Sequence, residues 1–572
     1  MSARPAPATV VAAALLTAFT EAGVRELVVA PGSRSQALAL VAAELERAGR
    51  ARLRVRLDER DAAFLALGLA KESGRPAVVI TTSGTAVANL HPAVLEARHS
   101  GVPLIVLTAD RPASLRGIGS NQTTDHLGVL GGSVVRGFDV GAPTGEPGEA
   151  EAARALAAEV VAASAAGPVH LNVAFTEPLS SAWRIDDEAP PPAGSPTDAP
   201  AVSLDAAPAG IELAPGPRTA VIAGSGAGER AEAVARELGA VLFAEATSGA
   251  RFGPQLVVPY RAVIRDEAFL DGLERLLVFG HPTLSREAPW LVERAASAGA
   301  EVIVVRSPGV DDYNPGHAVT AFVDAVRVLG TPDDRAARSW TGPWVSASRA
   351  FLATSDDVPS DVHATPRAKE RHELAALRTG VSRRALVDAV WRATWPHDRL
   401  VVAASRLVRE LDRVVPGKRI PVHANRGLAG IDGTISTAVG VALAQQDDLA
   451  RQDVLAGEAP PPGAGGITRL LVGDLAFLHD VGGLAFGEGE TRPRILVVVG
   501  NDRGGTIFDE LEVAEAGPAG YDRVMLTPQT ASIEGLARAY GWDYRRVEQH
   551  GDLAPALSGC AGPTVVEVPL ER

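Results

Sequence analysis

Short runs of Val, Leu and Ile, mostly four or five residues long, recur along the chain between longer Ala- and Leu-rich stretches. They are Leu27–Ala30, Leu53–Leu57, Ala77–Thr81 and Leu104–Leu107 early on, Thr219–Ile222, Leu276–Phe279 and Val302–Val305 in the middle, and Leu400–Ala403, Leu470–Val472 and Ile495–Val499 late. A strand that is apolar at nearly every position must be covered on both faces, which is the condition of a parallel strand with helices on either side of its sheet. The intervening stretches, such as 85–99, have the length and composition of helices, so the chain reads as repeated βαβ units. Two segments interrupt the pattern: Asp186–Pro200, rich in Pro, Asp, Gly and Ser, and roughly 356–379, charged and without apolar periodicity. They divide the 572 residues into three blocks, 1–185, 201–355 and 380–572, each of ordinary domain size and all apparently copies of one α/β architecture. A shorter polar break, Pro460–Pro462 with Gly463–Gly466, reads as a surface loop of the third block.

Charge narrows the partners. The formal net charge is −14 and the pI about 5.4. Nucleic acid demands a basic face to neutralise phosphates, so a general nucleic-acid surface is excluded and any anionic small molecule has to be met by local Arg clusters. The single cysteine, Cys560, rules out an intramolecular disulfide and a cysteine-based metal site and fits a reducing, cytoplasmic setting. The apolar run Val10–Leu16 reads as a first helix rather than a secretion signal, because a strand and a glycine-bearing turn follow almost at once. No stretch approaches the roughly 20 apolar residues of a membrane span.

Two acidic turns carry the chemistry. Gly473-Asp474-Leu475 follows the strand at Leu470–Val472, and Asn501-Asp502-Arg503-Gly504-Gly505 follows the strand at Ile495–Val499. The aspartates stand 28 positions apart, about one strand–helix–strand unit, so adjacent parallel strands would present both carboxylates at one sheet edge, where ligands of open α/β sheets bind. Each turn alone is an ordinary strand-end turn; the pair suits a hard cation such as Mg²⁺ or Mn²⁺, which takes oxygen ligands and keeps positions for phosphate. Two Asp side chains, a main-chain carbonyl near Gly504, two phosphate oxygens and a water complete six-coordination. The pair resembles the diphosphate-binding motif of thiamine diphosphate enzymes, with one departure: Asp502 stands where that motif usually has Asn. Such an enzyme also needs a glutamate against the aminopyrimidine ring. Glu59, in Asp58-Glu59-Arg60-Asp61 at the junction of the strand Leu53–Leu57 with the next helix, is the candidate; Asp58 and Asp61 read as acids at a helix start.

Further stretches sharpen the resemblance: Ala30-Pro31-Gly32-Ser33-Arg34-Ser35, Thr82-Ser83-Gly84-Thr85-Ala86-Val87-Ala88-Asn89-Leu90, Thr108-Ala109-Asp110-Arg111-Pro112, Asn121-Gln122, Asn425-Arg426-Gly427 with Gly430-Ile431-Asp432-Gly433, and Gly504-Gly505-Thr506-Ile507-Phe508. Over nearly the whole chain, least in the middle block, the sequence resembles the 2-succinyl-5-enolpyruvyl-6-hydroxy-3-cyclohexene-1-carboxylate synthases of menaquinone biosynthesis. The resemblance implies three Rossmann-like domains with mainly parallel sheets flanked by helices: a pyrimidine-binding domain (1–185), a central domain (201–355) and a diphosphate-binding domain (380–572). It implies thiamine diphosphate and Mg²⁺ or Mn²⁺ as cofactors, decarboxylation of 2-oxoglutarate, and addition of the resulting succinyl-carbanion equivalent to isochorismate.

It also implies roles. Asp474, Asp502 and Gly504 would hold the metal, and Glu59, Thr82, Ser405, Gly473, Leu475 and Ile507 the cofactor, with Ile431 wedged beneath it. Ser33, Arg34, Arg111, Gln122, Arg409 and Arg426 would meet the dianionic substrates, since the planar Arg fork binds carboxylates bidentately. Arg286 would join them from the middle block, where the family typically has a basic pair and this chain has Ser285 before Arg286. Ile507, Phe508 and Leu511 would wall the reacting carbons. Active sites shared between subunits imply a homodimer, with a tetramer left open. A 2-oxoacid decarboxylase or a flavin-bearing acetohydroxyacid synthase would share Glu59 and the metal motif without needing the Arg set, and a catalytically silent homologue would not need Glu59. Gly224-Ser225-Gly226-Ala227-Gly228 is read as a structural turn rather than a dinucleotide site.

Overall fold

The computed structural model describes residues 5–185, 210–354, 375, 377–455, 466–509, 511–515 and 518–572. The Asp186–Pro200 segment, most of 356–379 and nearly all of the 460–466 loop lie outside the described residues.

Three parallel sheets organise the chain. The first contains β1 (Glu26–Val29), β2 (Arg52–Val55), β3 (Ala77–Thr81), β4 (Leu104–Asp110), β5 (Arg136–Val140) and β6 (Val169–Ala174) in the order β2-β1-β3-β4-β6-β5. In the middle region β7 (Gly210–Leu213) pairs with β13 (Ala325–Val328). Beside that pair, β8 (Thr219–Ala223), β9 (Val241–Ala244), β10 (Arg275–Phe279), β11 (Glu301–Val305) and β12 (Ala321–Val323) form a sheet ordered β12-β11-β10-β8-β9. The last sheet has β14 (Arg399–Val402), β15 (Val422–His423), β16 (Thr468–Gly473), β17 (Ile495–Asn501), β18 (Asp543–Arg546) and β19 (Thr564–Pro569) in the order β15-β14-β16-β17-β19-β18. Counted within each sheet, the first and last share one topology, 2-1-3-4-6-5, and the middle sheet repeats its first part.

Every strand expected from an apolar run is present, with ends shifted by up to three residues. Among the strands outside those runs, β9 and β12 are apolar throughout, whereas β5, β6 and β18 have polar residues for a physical reason. β5 and β18 are edge strands, partly solvated. β6 is wholly buried, but His170 and Asn172 interrupt its apolar run; the Thr108 hydroxyl lies 2.8 Å from His170 Nε2 and donates to Asn172 Oδ1 at 2.8 Å. The single helix expected over 85–99 is two, Thr85–Asn89 and His91–Ser100. Pro92 lacks an N–H and is accommodated in the first turn of a new helix, not in the interior of a long one.

The first and last regions pack directly on each other. The helix Glu59–Ser73 is buried from Asp61 to Ala70 and lies against the helix Thr434–Leu455. Glycines make the crossing close: a Cβ on Gly68 would overlap the Thr437 carbonyl, and one on Gly440 the Leu65 carbonyl. Gly433, at φ 61°, lies under the Phe64 ring. Ion pairs seal the rim, with Arg54 to Asp447 at 2.8 Å and Glu72 to Arg399 and His423 at 2.7 Å each.

Candidate active site

At the carboxyl ends of β1, β3 and β4, three turns converge. The β1 turn carries Ser33, exposed, and Arg34, half-buried, whose Nη1 donates to the Phe175 carbonyl at 3.1 Å. Gly32 lies so close to Thr82, in the turn after β3, that a Cβ would collide with it. Arg111, following β4, is buried, and its Nη1 donates to Ser83 Oγ at 2.6 Å and to the Gln122 carbonyl at 2.8 Å. Gln122 takes a left-handed backbone (φ 56°) and donates from Nε2 to the Ser83 carbonyl at 2.8 Å. Ser33, Arg34, Thr82, Arg111 and Gln122 are therefore brought together. Burial, then the neighbouring Arg111 charge, press the Arg34 guanidinium below its ordinary pKa. Both guanidinium groups donate to neutral oxygens, with the Asp110 and Glu177 carboxylates close enough to act on Arg34.

Glu59 opens its helix, where Asp58 caps the first turn by accepting from the Arg60 and Asp61 N–H groups. Its Oε2 accepts from Asn89 Nδ2 at 3.3 Å. Among the described residues no hydrogen bond or ion pair joins Glu59 to Ile431, Asp474 or Asp502 of the same chain. A cavity of about 400 Å³ opens nearby between the first and last regions, lined in part by Phe64, Ala88, Glu96, Asn425, Gly430 and Asp432. Ile431, between two of these, is 37% exposed for an apolar side chain and sits in a loop bent by left-handed Ala429 and Gly433.

The last sheet carries the acidic edge. β16 and β17 are parallel neighbours with Gly473 opposite Gly500, so Asp474 and Asp502 emerge side by side. Ser405 caps the helix Arg406–Val414 and rests on Gly473. Asp474 is buried; desolvation and the Asp502 charge push its carboxyl up to about 6, against the pull of the Leu475 and Gly504 N–H groups. Gly504 has φ 144°, and a Cβ there would strike the Leu526 carbonyl, so only glycine lets this loop close over Asp474. Ile507 and Phe508 follow in a single 3₁₀ turn, with Phe508 against Gly505, and the Leu511 N–H donates to the Phe508 carbonyl at 3.0 Å. Among the described residues no three His, Cys, Asp or Glu side chains form a metal cluster. Two crowded carboxylates beside a main-chain loop fit a cation whose other ligands are carbonyl, water and phosphate.

Arg426 is buried, and its guanidinium donates to Thr283 Oγ1 and to the Thr283 carbonyl, both at 2.9 Å. Arg409 is exposed but near enough for its charge to act on Arg426. Arg286 is exposed at the start of the helix Glu287–Ser297. Sequence reasoning gave no role to Asn89, quoted only as part of a longer stretch, or to Thr283 and Arg383. Arg383 pairs with Asp502 at 3.0 Å from 119 positions away, a separation at which no local motif points to it.

Residues 9–129 match the family model described as thiamine pyrophosphate enzyme, N-terminal TPP binding domain. The crystal structure of benzoylformate decarboxylase from Polynucleobacter necessarius superposes with a TM-score of 0.64, covering 98% of each chain at 17% identity, a likeness of fold. Fold and site together define a thiamine diphosphate-dependent enzyme with a divalent metal. The particular family follows from full-length relatives, each a 2-succinyl-5-enolpyruvyl-6-hydroxy-3-cyclohexene-1-carboxylate synthase. The protein of Leifsonia xyli subsp. xyli is 53% identical over 599 aligned residues, covering 99% of this chain and 97% of its own. That of Clavibacter michiganensis subsp. michiganensis is 55% identical over 592, with the same coverage. The chain belongs to this synthase family, a group of transferases of menaquinone biosynthesis. Among the described residues no helix is long and apolar enough to cross a membrane.

Proposed function

We propose that the enzyme decarboxylates 2-oxoglutarate and adds the succinyl-carbanion equivalent to isochorismate, giving 2-succinyl-5-enolpyruvyl-6-hydroxy-3-cyclohexene-1-carboxylate and carbon dioxide. The observation that carries this reading is the pairing of Arg34 and Arg111 at one sheet edge, donating to neutral oxygens. Two dianionic substrates call for such fixed cations. Bound thiamine diphosphate supplies the carbon that takes up the 2-oxo group and the electron sink for loss of carbon dioxide.

The residues divide the remaining work. Asp474, Asp502 and the Gly504 carbonyl hold Mg²⁺ or Mn²⁺, while Gly473, Leu475 and Ser405 border the diphosphate. Glu59 would hold a proton against the aminopyrimidine, and Thr82 and Ile431 would border the cofactor. Ser33, Arg34, Arg111 and Gln122 bind substrate carboxylates, with Arg409 and Arg426 as further cations; Arg286 is an outer candidate. Ile507, Phe508 and Leu511 exclude water from the reacting carbons. A homodimer, with Glu59 of one subunit serving the acidic edge of the other, is the proposed minimal active form.

The test is to mix the purified protein with thiamine diphosphate, Mg²⁺, 2-oxoglutarate and isochorismate and follow isochorismate. Consumption should require every component. Equal efficiency with another 2-oxoacid would overturn the substrate assignment.

A further inference from the structure

Asp502 carries a charge that its position makes expensive. It stands beside buried Asp474, at an edge that, on the reading above, also receives a diphosphate. A second uncompensated carboxylate there would repel both. The surroundings of Asp502 answer this on one oxygen only. Arg383, in the first turn of the helix Arg383–Ala393, donates to Asp502 Oδ2 from Nη2 at 3.0 Å and from Nε at 3.3 Å. The Thr506 hydroxyl donates to the same Oδ2 at 2.5 Å. Both side chains of the ion pair are largely buried, Arg383 at 16% and Asp502 at 10% exposure, so the pairing is little screened by solvent. Oδ2 is thus saturated by a cation and a hydroxyl, and Oδ1 remains as the ligand oxygen.

We infer that Arg383 is a positioning residue for the metal: it cancels the extra charge of Asp502 and turns the carboxylate so that it acts as a neutral single-oxygen ligand, as an asparagine carbonyl would. Arg383 would act through Asp502 and not on the metal itself. The inference rests on Asp502 being a metal ligand, as proposed above.

A double-mutant cycle on the full-length protein tests it, with thiamine diphosphate binding measured calorimetrically at fixed Mg²⁺ and no turnover required. Arg383→Met should weaken binding roughly tenfold when position 502 is Asp, and less than threefold when it is Asn, a coupling of the size expected for groups in direct contact. Arg383→Lys, which keeps the charge without the fork, should fall between wild type and Arg383→Met. If Arg383→Met does not fold, Arg383→Gln replaces it in both backgrounds. Equal losses in the two backgrounds, or none, overturn the inference alone. Wild-type protein that binds no thiamine diphosphate overturns the proposed function, and this inference with it.

Discussion

The first and last sheets share the strand order 2-1-3-4-6-5, yet their corresponding edges carry different side chains. After β3 and β4 stand Thr82, Ser83 and Arg111; after β16 and β17, at the same places in the topology, stand Asp474 and Asp502. The frame is common because buried parallel strands and covering helices tolerate any well-packed apolar sequence. The chemistry differs because the turns at the strand ends are free of that constraint. On the proposed function one edge would meet substrate carboxylates and the other a cation, and the two can be perturbed separately.

If the division holds, the largest effect belongs to Glu59. Glu59→Gln should lower kcat by about 10²–10⁴, the usual worth of a proton-transferring group, while the Kd for thiamine diphosphate stays within an order of magnitude. Unchanged turnover would remove Glu59 from the mechanism. On the acidic edge the pattern should reverse: Asp474→Ala should weaken metal-dependent cofactor binding roughly 30- to 150-fold, the loss of one charge-assisted contact of about 2–3 kcal/mol. Cofactor binding that survived intact would place the metal elsewhere. A smaller change is expected from Arg111→Met. It should raise the KM of an anionic substrate roughly tenfold and leave cofactor affinity alone; a parallel loss of cofactor affinity would blur the two edges.

Much of this contrast is legible in the chain before any coordinates. Apolar runs of β-strand length give the central strands of all three sheets, and Gly473-Asp474 with Asn501-Asp502 gives one edge of the site. What is not legible depends on long-range contact. The Arg383–Asp502 pair, the Thr283–Arg426 contact and the polar ladder of Thr108, His170 and Asn172 join residues dozens to more than a hundred positions apart, and hydrophobic periodicity carries no trace of such pairs. Asp61 is the instructive case. It reads as one of several acids at a helix start, but it is buried at the junction of the two regions, facing Asp480 from the segment after the Asp474 helix.

That junction makes the finest test of the comparison. Burial first, then the charges of Asp480 and Asp58, hold the Asp61 carboxyl up at about 8, with Arg60 pulling the other way. Asp480 is also raised, chiefly by burial, although Ser436 donates to it from its N–H at 2.9 Å and its hydroxyl at 3.2 Å. Oδ1 of each carboxyl is buried without a hydrogen-bond partner, and one proton between the two groups would relieve their repulsion. A carboxyl whose pKa is higher folded than unfolded holds its proton better in the native state. Its contribution to stability is therefore complete below about pH 4, the unfolded value, and is lost as pH rises toward 8. Asp61→Asn keeps a donor at this position at every pH. Its melting temperature relative to wild type should climb between pH 5 and pH 8, by a stability difference of up to about 1.4 kcal/mol per pH unit. A gap that stayed constant across that range would mean that the Asp61–Asp480 contact holds no proton, and that the two regions meet without a titrating contact at this point.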